Sequence, residues 1–291
     1  MMLYGLPIRM PGWHVAAFAL SLGVARHASA IANGCPIEHS LLSKMKAALE
    51  ARPSVPISQI GGAIPFEWSA PDGERLHGVQ IQCCGVKPDN AAGFLLIAQG
   101  NAMSATETAA TFAPLASAAR LDVFVVDYRG IGLSGNATSS SVRSIISDYR
   151  GLLSHLTARG YGKRVVYAIS FGGVVMLNAT SQRDYDLLVL DAVPSRTGSS
   201  ISKFVARVFG CRENYDAIAH LPDDMQKVVL LHGSRDEQVT AGMAKELRGK
   251  ATSRRARSFV IPDLGHPAAD TASDRRQRVP LVSSIINGRA Q

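Results

Sequence analysis

The sequence predicts an α/β fold with a mostly parallel central sheet and helices on both of its faces. Six apolar runs carry that expectation: Phe94 to Ala98, Val123 to Val126, Val165 to Tyr167, Leu187 to Leu190, Val228 to Leu231 and Phe259 to Ile261. Runs without polar alternation belong to strands covered on both sides. Helical patterns separate most of them, and strand–helix alternation of this kind builds a parallel sheet. At 291 residues, 46% hydrophobic and 19% charged, the chain is long enough for one sizeable core, and one domain accounts for these elements.

In chain order, Leu41 to Leu49 reads as a short helix, broken afterwards by Pro53 and Pro56. Pro65 to Gln82 alternates around Asp72-Gly73, the signature of a hairpin. Helices are expected at Thr106 to Ala119, Val142 to Thr157, Phe171 to Thr180, Ala241 to Leu247 and Val279 to Ile286. Residues 194–224 form a long insertion between two strands, with an amphipathic helix expected at Ile201 to Phe209. An insertion there suits either a short substrate cap or ordinary crossover structure.

Residues 1–30 are expected to lie outside the fold. Arg9 precedes an apolar run, Val15 to Val24, too short to span a bilayer, and Ala28-Ser29-Ala30 follows as a small-x-small cleavage site. This predicts an exported, periplasmic or secreted protein with Ile31 as its first mature residue. A retained anchor helix is the alternative; a lipoprotein through Cys35 is a poorer match. The formal charge of +8 includes Arg9 and Arg26, and residues 1–30 hold no acid, so the remainder carries +6. Its cations are dispersed in small groups such as Arg254-Arg255 and Arg275-Arg276, which read as solvated faces rather than a nucleic-acid surface.

Export makes Cys35, Cys83, Cys84 and Cys211 candidates for disulfides. Of three connectivities, the vicinal Cys83–Cys84 pair ranks last because its ring is strained. The other two tie Cys35 to one of the pair and Cys211 to the other. Four reduced thiols are the alternative, and no spacing suggests a zinc site.

The chemistry is expected at Ala168-Ile169-Ser170-Phe171-Gly172, where a strand runs into a serine flanked by small residues and then into a helix. That is the layout of a nucleophile elbow. In a parallel sheet, functional loops leave the carboxyl ends of the strands. Asp236 follows the run ending at Leu231, and His266 follows Ile261 in Pro262-Asp263-Leu264-Gly265-His266. Serine, aspartate and histidine therefore occur in the chain order of one hydrolase architecture and of neither common protease fold. Ser170 would attack, His266 would take its proton, and Asp236 would hold the imidazole. Asp191 and Glu237 compete with Asp236 for the acid role. Asp127 reads as a loop organiser and His232 as a packed histidine. The oxyanion donors are expected from the N–H of Phe171 and from the loop Gln99-Gly100-Asn101-Ala102, through Asn101.

Three further segments extend this pattern: Asp127-Tyr128-Arg129-Gly130-Ile131-Gly132-Leu133-Ser134-Gly135, Ser69-Ala70-Pro71-Asp72-Gly73-Glu74-Arg75-Leu76-His77-Gly78, and the Gln99 to Ala102 loop. Together with the triad they resemble the Bem46-like serine hydrolases of the α/β-hydrolase superfamily, over about residues 66–286. Gln99 stands where that group has histidine, and Ala168 where it has the first elbow glycine. The resemblance implies an α/β-hydrolase fold and an acyl-enzyme mechanism on a small acyl ester or thioester, with no cofactor and no metal. A peptidase of the same fold is the enzymatic alternative, and a non-catalytic binding protein keeping the fold is the other. The chain is expected to act as a monomer, without nucleic acid, and membrane or lipid contact is left open but not indicated.

Overall fold

The apolar runs form strands because their β-branched and aliphatic side chains alternate between two buried faces. The computed structural model describes residues 36–51, 54–84, 91–135, 140–196, 215–267 and 274–290. Among these, eight strands form one sheet: β1 (Ala63–Ser69), β2 (Arg75–Ile81), β3 (Gly93–Ala98), β4 (Leu121–Val126), β5 (Lys163–Ile169), β6 (Leu187–Asp191), β7 (Val228–Gly233) and β8 (Arg257–Ile261). Their spatial order is β1-β2-β4-β3-β5-β6-β7-β8. The β1–β2 hairpin is antiparallel and docks antiparallel on β4, while β4, β3 and β5 to β8 run parallel.

The helices are α1 (Pro36–Glu50), α2 (Ala105–Phe112), α3 (Pro114–Ala119), α4 (Val142–Ala158), α5 (Phe171–Ala179), α6 (Ala241–Thr252) and α7 (Val279–Ile286). One sheet face turns Leu96, Phe124, Val166 and Leu190 toward α4, α5 and α6, and the other turns Leu95, Val125, Tyr167 and Val189 toward α2, α3 and α7. This two-sided burial explains why the sequence shows continuous apolar runs.

Three helix expectations change. The single helix at Thr106 to Ala119 is two, because Pro114 lacks the N–H that an uninterrupted helix would use and instead opens α3 as its first residue. The first helix begins at Pro36, and α6 continues to Thr252 rather than ending at Leu247. The Ile201 to Phe209 helix, the Ala28–Ser29–Ala30 cleavage site, Cys35 and Cys211 lie outside the described residues. Beside the undescribed part of the insertion, Ser195 and Arg196 bond Glu246 of α6.

The cysteine ranking is corrected. The sulfurs of Cys83 and Cys84 are joined as a vicinal pair, with their Cα atoms 3.8 Å apart, at the end of β2. Adjacent residues in that turn bring the two sulfurs together, so the pairing ranked last is the one formed.

Among the described residues, β1 and β8 are the sheet's two edges. Pro65 sits within β1, a residue that edge strands tolerate because it has no N–H to offer a neighbour. The opposite edge, β8, is only five residues long and starts on the exposed Arg257. No helix among the described residues is long and apolar enough to cross a membrane.

Candidate active site

Ser170 joins β5 to α5 with φ 51° and ψ −115°, a backbone region that side chains avoid. The neighbours must then be small. A Cβ on Gly172 would lie 2.0 Å from the carbonyl oxygen of Ala98, so only glycine lets α5 approach β3 this closely. Ala168, two residues before the serine, is buried in the core with its methyl among the α4–α5 face residues. The elbow therefore accommodates alanine there. The Ser170 N–H donates to the carbonyl of Asp191 at the end of β6 (2.8 Å), which fixes the peptide plane leading into the serine.

The loop after β3 lies against the elbow: a Cβ on Gly100 would stand 3.6 Å from that of Ser170. Asn101 follows in this turn. The N–H of Phe171 is a first-turn donor of α5, which no carbonyl of its own helix can accept. Both expected oxyanion donors thus belong to segments that flank Ser170.

The segment after β4 holds this loop from behind. Asp127 accepts from Gln99 Nε2 (2.8 Å) and from the backbone N–H groups of Ala105 (2.7 Å) and Leu133 (2.9 Å). Tyr128 donates its hydroxyl to the Gln99 carbonyl (2.6 Å) and packs edge-on to Phe171. Arg129 forks onto Asp148 of α4 and reaches Asp72 in the hairpin turn. Gln99 thus supplies the donor that braces the loop after β3, while its Oε1 is buried without a partner among the described residues.

Burial pushes the Asp127 carboxyl up to about 6, although its three donors oppose the shift. An unfolded carboxyl titrates near 3.8, so between these values the folded state binds more protons. Stability is therefore lost as pH rises through that window, by about 3 kcal/mol. Urea unfolding from pH 4 to pH 7 checks this. The wild type should lose up to that amount relative to Asp127→Asn, and a pH-independent difference would contradict it.

His266 meets Asp236 at the carboxyl edge of β7 and β8, with Nδ1 2.8 Å from Oδ2. The Asp236 side chain is fully buried, and its Oδ1 accepts from the N–H groups of Gln238 (2.9 Å) and Val239 (2.8 Å). Burial alone would raise this carboxyl, but His266 and the two amides outweigh it and hold it below its ordinary value. The loops carrying these residues are zipped together: Ser234 N–H donates to Ile261 O, and Arg235 N–H to Leu264 O. The competitors fall elsewhere. Glu237 is exposed, and His232 is half-buried, its pKa lowered chiefly by burial. Asp191 is buried against Arg278 and Tyr167.

Sequence reasoning missed Arg278 and Tyr167. Arg278 is fully buried, although it follows Arg275-Arg276 and looks like one more surface cation. Its only sequence signal is the apolar run that follows it.

Comparison with known proteins bears on the fold and family. Residues 89–210 match the family model described as serine aminopeptidase, S33. The chain is 26% identical over 242 residues to the uncharacterised protein YfhR of Escherichia coli K12, covering 76% of this chain and 81% of that one. It is 29% identical over 166 residues to protein bem46 of Schizosaccharomyces pombe, covering 52% and 53%. The fold superposes on the Pyrococcus furiosus esterase Pf2001 with a TM-score of 0.60 at 15% identity, covering 81% of this chain and 95% of that one.

Proposed function

Because the chain belongs to the α/β-hydrolase superfamily and is Bem46-like, we propose that it cleaves a carboxylic ester or thioester through an acyl-Ser170 intermediate. The observation that carries this is the 2.8 Å hydrogen bond between buried Asp236 and His266, at the same sheet edge as the Ser170 elbow.

In this reading, His266 Nε2 takes the hydroxyl proton as Ser170 Oγ attacks the acyl carbon. Asp236 holds the Nδ1 proton and stabilises the imidazolium that forms. The N–H groups of Phe171 and of the Asn101 loop receive the negative oxygen of the tetrahedral intermediate. As that intermediate collapses, the alcohol or thiol leaves with the proton from His266. Water, deprotonated by His266, then releases the acid and frees Ser170. Protein groups carry every step.

The ester reading draws on the likeness to a Pyrococcus protein named as an esterase. A peptidase is the second reading, favoured by the family model's description as a serine aminopeptidase. We further propose that the chain is exported with residues 1–30 removed and acts as a monomer on a small-molecule substrate.

A fluorophosphonate probe with peptide mapping tests the core of this. The folded protein should carry the phosphonyl group on Ser170; no adduct would refute a serine hydrolase and favour a binding protein. p-Nitrophenyl esters of increasing acyl length, run beside aminoacyl p-nitroanilides, then decide between ester and amide.

A further inference from the structure

We propose that Arg278 is a positioning residue for the catalytic base, clamping the His266 loop to the strand end that also anchors the nucleophile. The inference rests on the hydrolase reading above for the role of His266, but the clamp itself is a matter of geometry.

Arg278 ends a five-residue π-helical turn, Asp274–Arg278, that leads directly into α7. Such turns redirect one side chain out of a helix's regular spacing. Here the redirected guanidinium is wholly buried. Its Nη1 donates to both carboxylate oxygens of Asp191, at 2.8 and 3.0 Å, and its Nη2 donates to the carbonyl of Gly265 at 2.6 Å. Tyr167 adds its hydroxyl to Asp191 Oδ2 (2.7 Å).

The Gly265 carbonyl belongs to the peptide plane that enters His266. Glycine leaves that plane free to rotate, so an external anchor must fix it. One side of the loop is already packed tightly, since a Cβ on Gly233 of β7 would meet Gly265 O at 2.6 Å. Arg278 holds it from another direction. A planar fork suits this task, because it can pair with a carboxylate and reach a carbonyl at a fixed angle.

Asp191 is the common anchor. Its backbone carbonyl accepts from Ser170 N–H, and its carboxylate holds the arginine that holds Gly265. Two peptide planes, one entering the nucleophile and one entering the base, are therefore referred to a single residue at the end of β6. The carboxylate that does not pair with His266 is tied to its loop through Arg278.

The test uses the full chain with Arg278→Met, which keeps the apolar stem, and Arg278→Lys. Two readouts are taken well below the melting temperature: kcat and KM on a p-nitrophenyl ester, and the low-field proton resonance of the His266 Nδ1–H. For Arg278→Met, kcat should fall about 10- to 100-fold with KM within about twofold, and the resonance should broaden or shift. Lysine, which keeps the charge but not the fork, should restore only part of both. A folded Arg278→Met with wild-type kcat and resonance overturns the proposal.

Should that variant fail to fold because it strands a buried carboxylate, Asp191→Asn/Arg278→Met removes the charge. Lowered kcat in the double variant supports the clamp, and wild-type kcat overturns it. If the wild type turns over no ester, the resonance still reports on the clamp. In that case a resonance sensitive to Arg278 supports this proposal while the ester reading fails.

Discussion

Ser170→Ala is expected to lower kcat/KM for p-nitrophenyl esters by about 10⁶, leaving only the rate that binding and oxyanion donors provide. Melting temperature should be nearly unchanged, because alanine keeps the Cβ that makes φ 51° unfavourable. Ser170→Gly should be equally inactive yet more stable, by about 1–3 kcal/mol, since glycine adopts this backbone without penalty. Thermal unfolding and ester assays on the three proteins check both halves. If glycine and alanine variants melt together, the elbow stores no strain at this residue. Substantial activity in either would remove Ser170 from the reaction.

Asp236→Asn should reduce kcat by about 10⁴ with little change in fold. The direction follows from the donors around it. Oδ1 accepts two backbone N–H groups, from Gln238 and Val239, so an asparagine must keep its carbonyl oxygen there. Its amide NH₂ would then face His266 Nδ1. That nitrogen would have to become the acceptor, leaving the proton on Nε2, where the serine needs a base. Asp191→Asn should cost less than about 100-fold, because Asp191 acts through Arg278 and not on the imidazole. Steady-state kinetics on the pair decide this. Collapse in Asp191→Asn with near-normal turnover in Asp236→Asn would reverse the assignment.

Most of this site is legible in the sequence because its parts are local. The elbow is a strand, a serine and small neighbours within a few residues. Asp236 and His266 each follow an apolar run that must be a strand, and parallel topology brings their loops to one edge. What sets Asp236 apart from exposed Glu237 in the fold is its burial, and burial of one of two adjacent acids leaves no mark on composition. Arg278 is the opposite case. It draws its meaning from residues at 191 and 265, and no local pattern distinguishes a buried guanidinium from the solvated Arg275 and Arg276 before it. The helix at Thr106 to Ala119 could have been divided at Pro114 from sequence, but an apolar pattern running through the proline conceals the break.

The two ends of the sheet carry a consequence for colloidal behaviour rather than for chemistry. Among the described residues, each margin of this mostly parallel sheet presents a row of amides and carbonyls with no neighbouring strand, a template on which a second molecule could lay its own strand. On β1, Pro65 interrupts that template. On β8, the row is short and opens on a cation whose desolvation would oppose docking. Both features oppose the pairing of two copies through a shared backbone ladder at these margins.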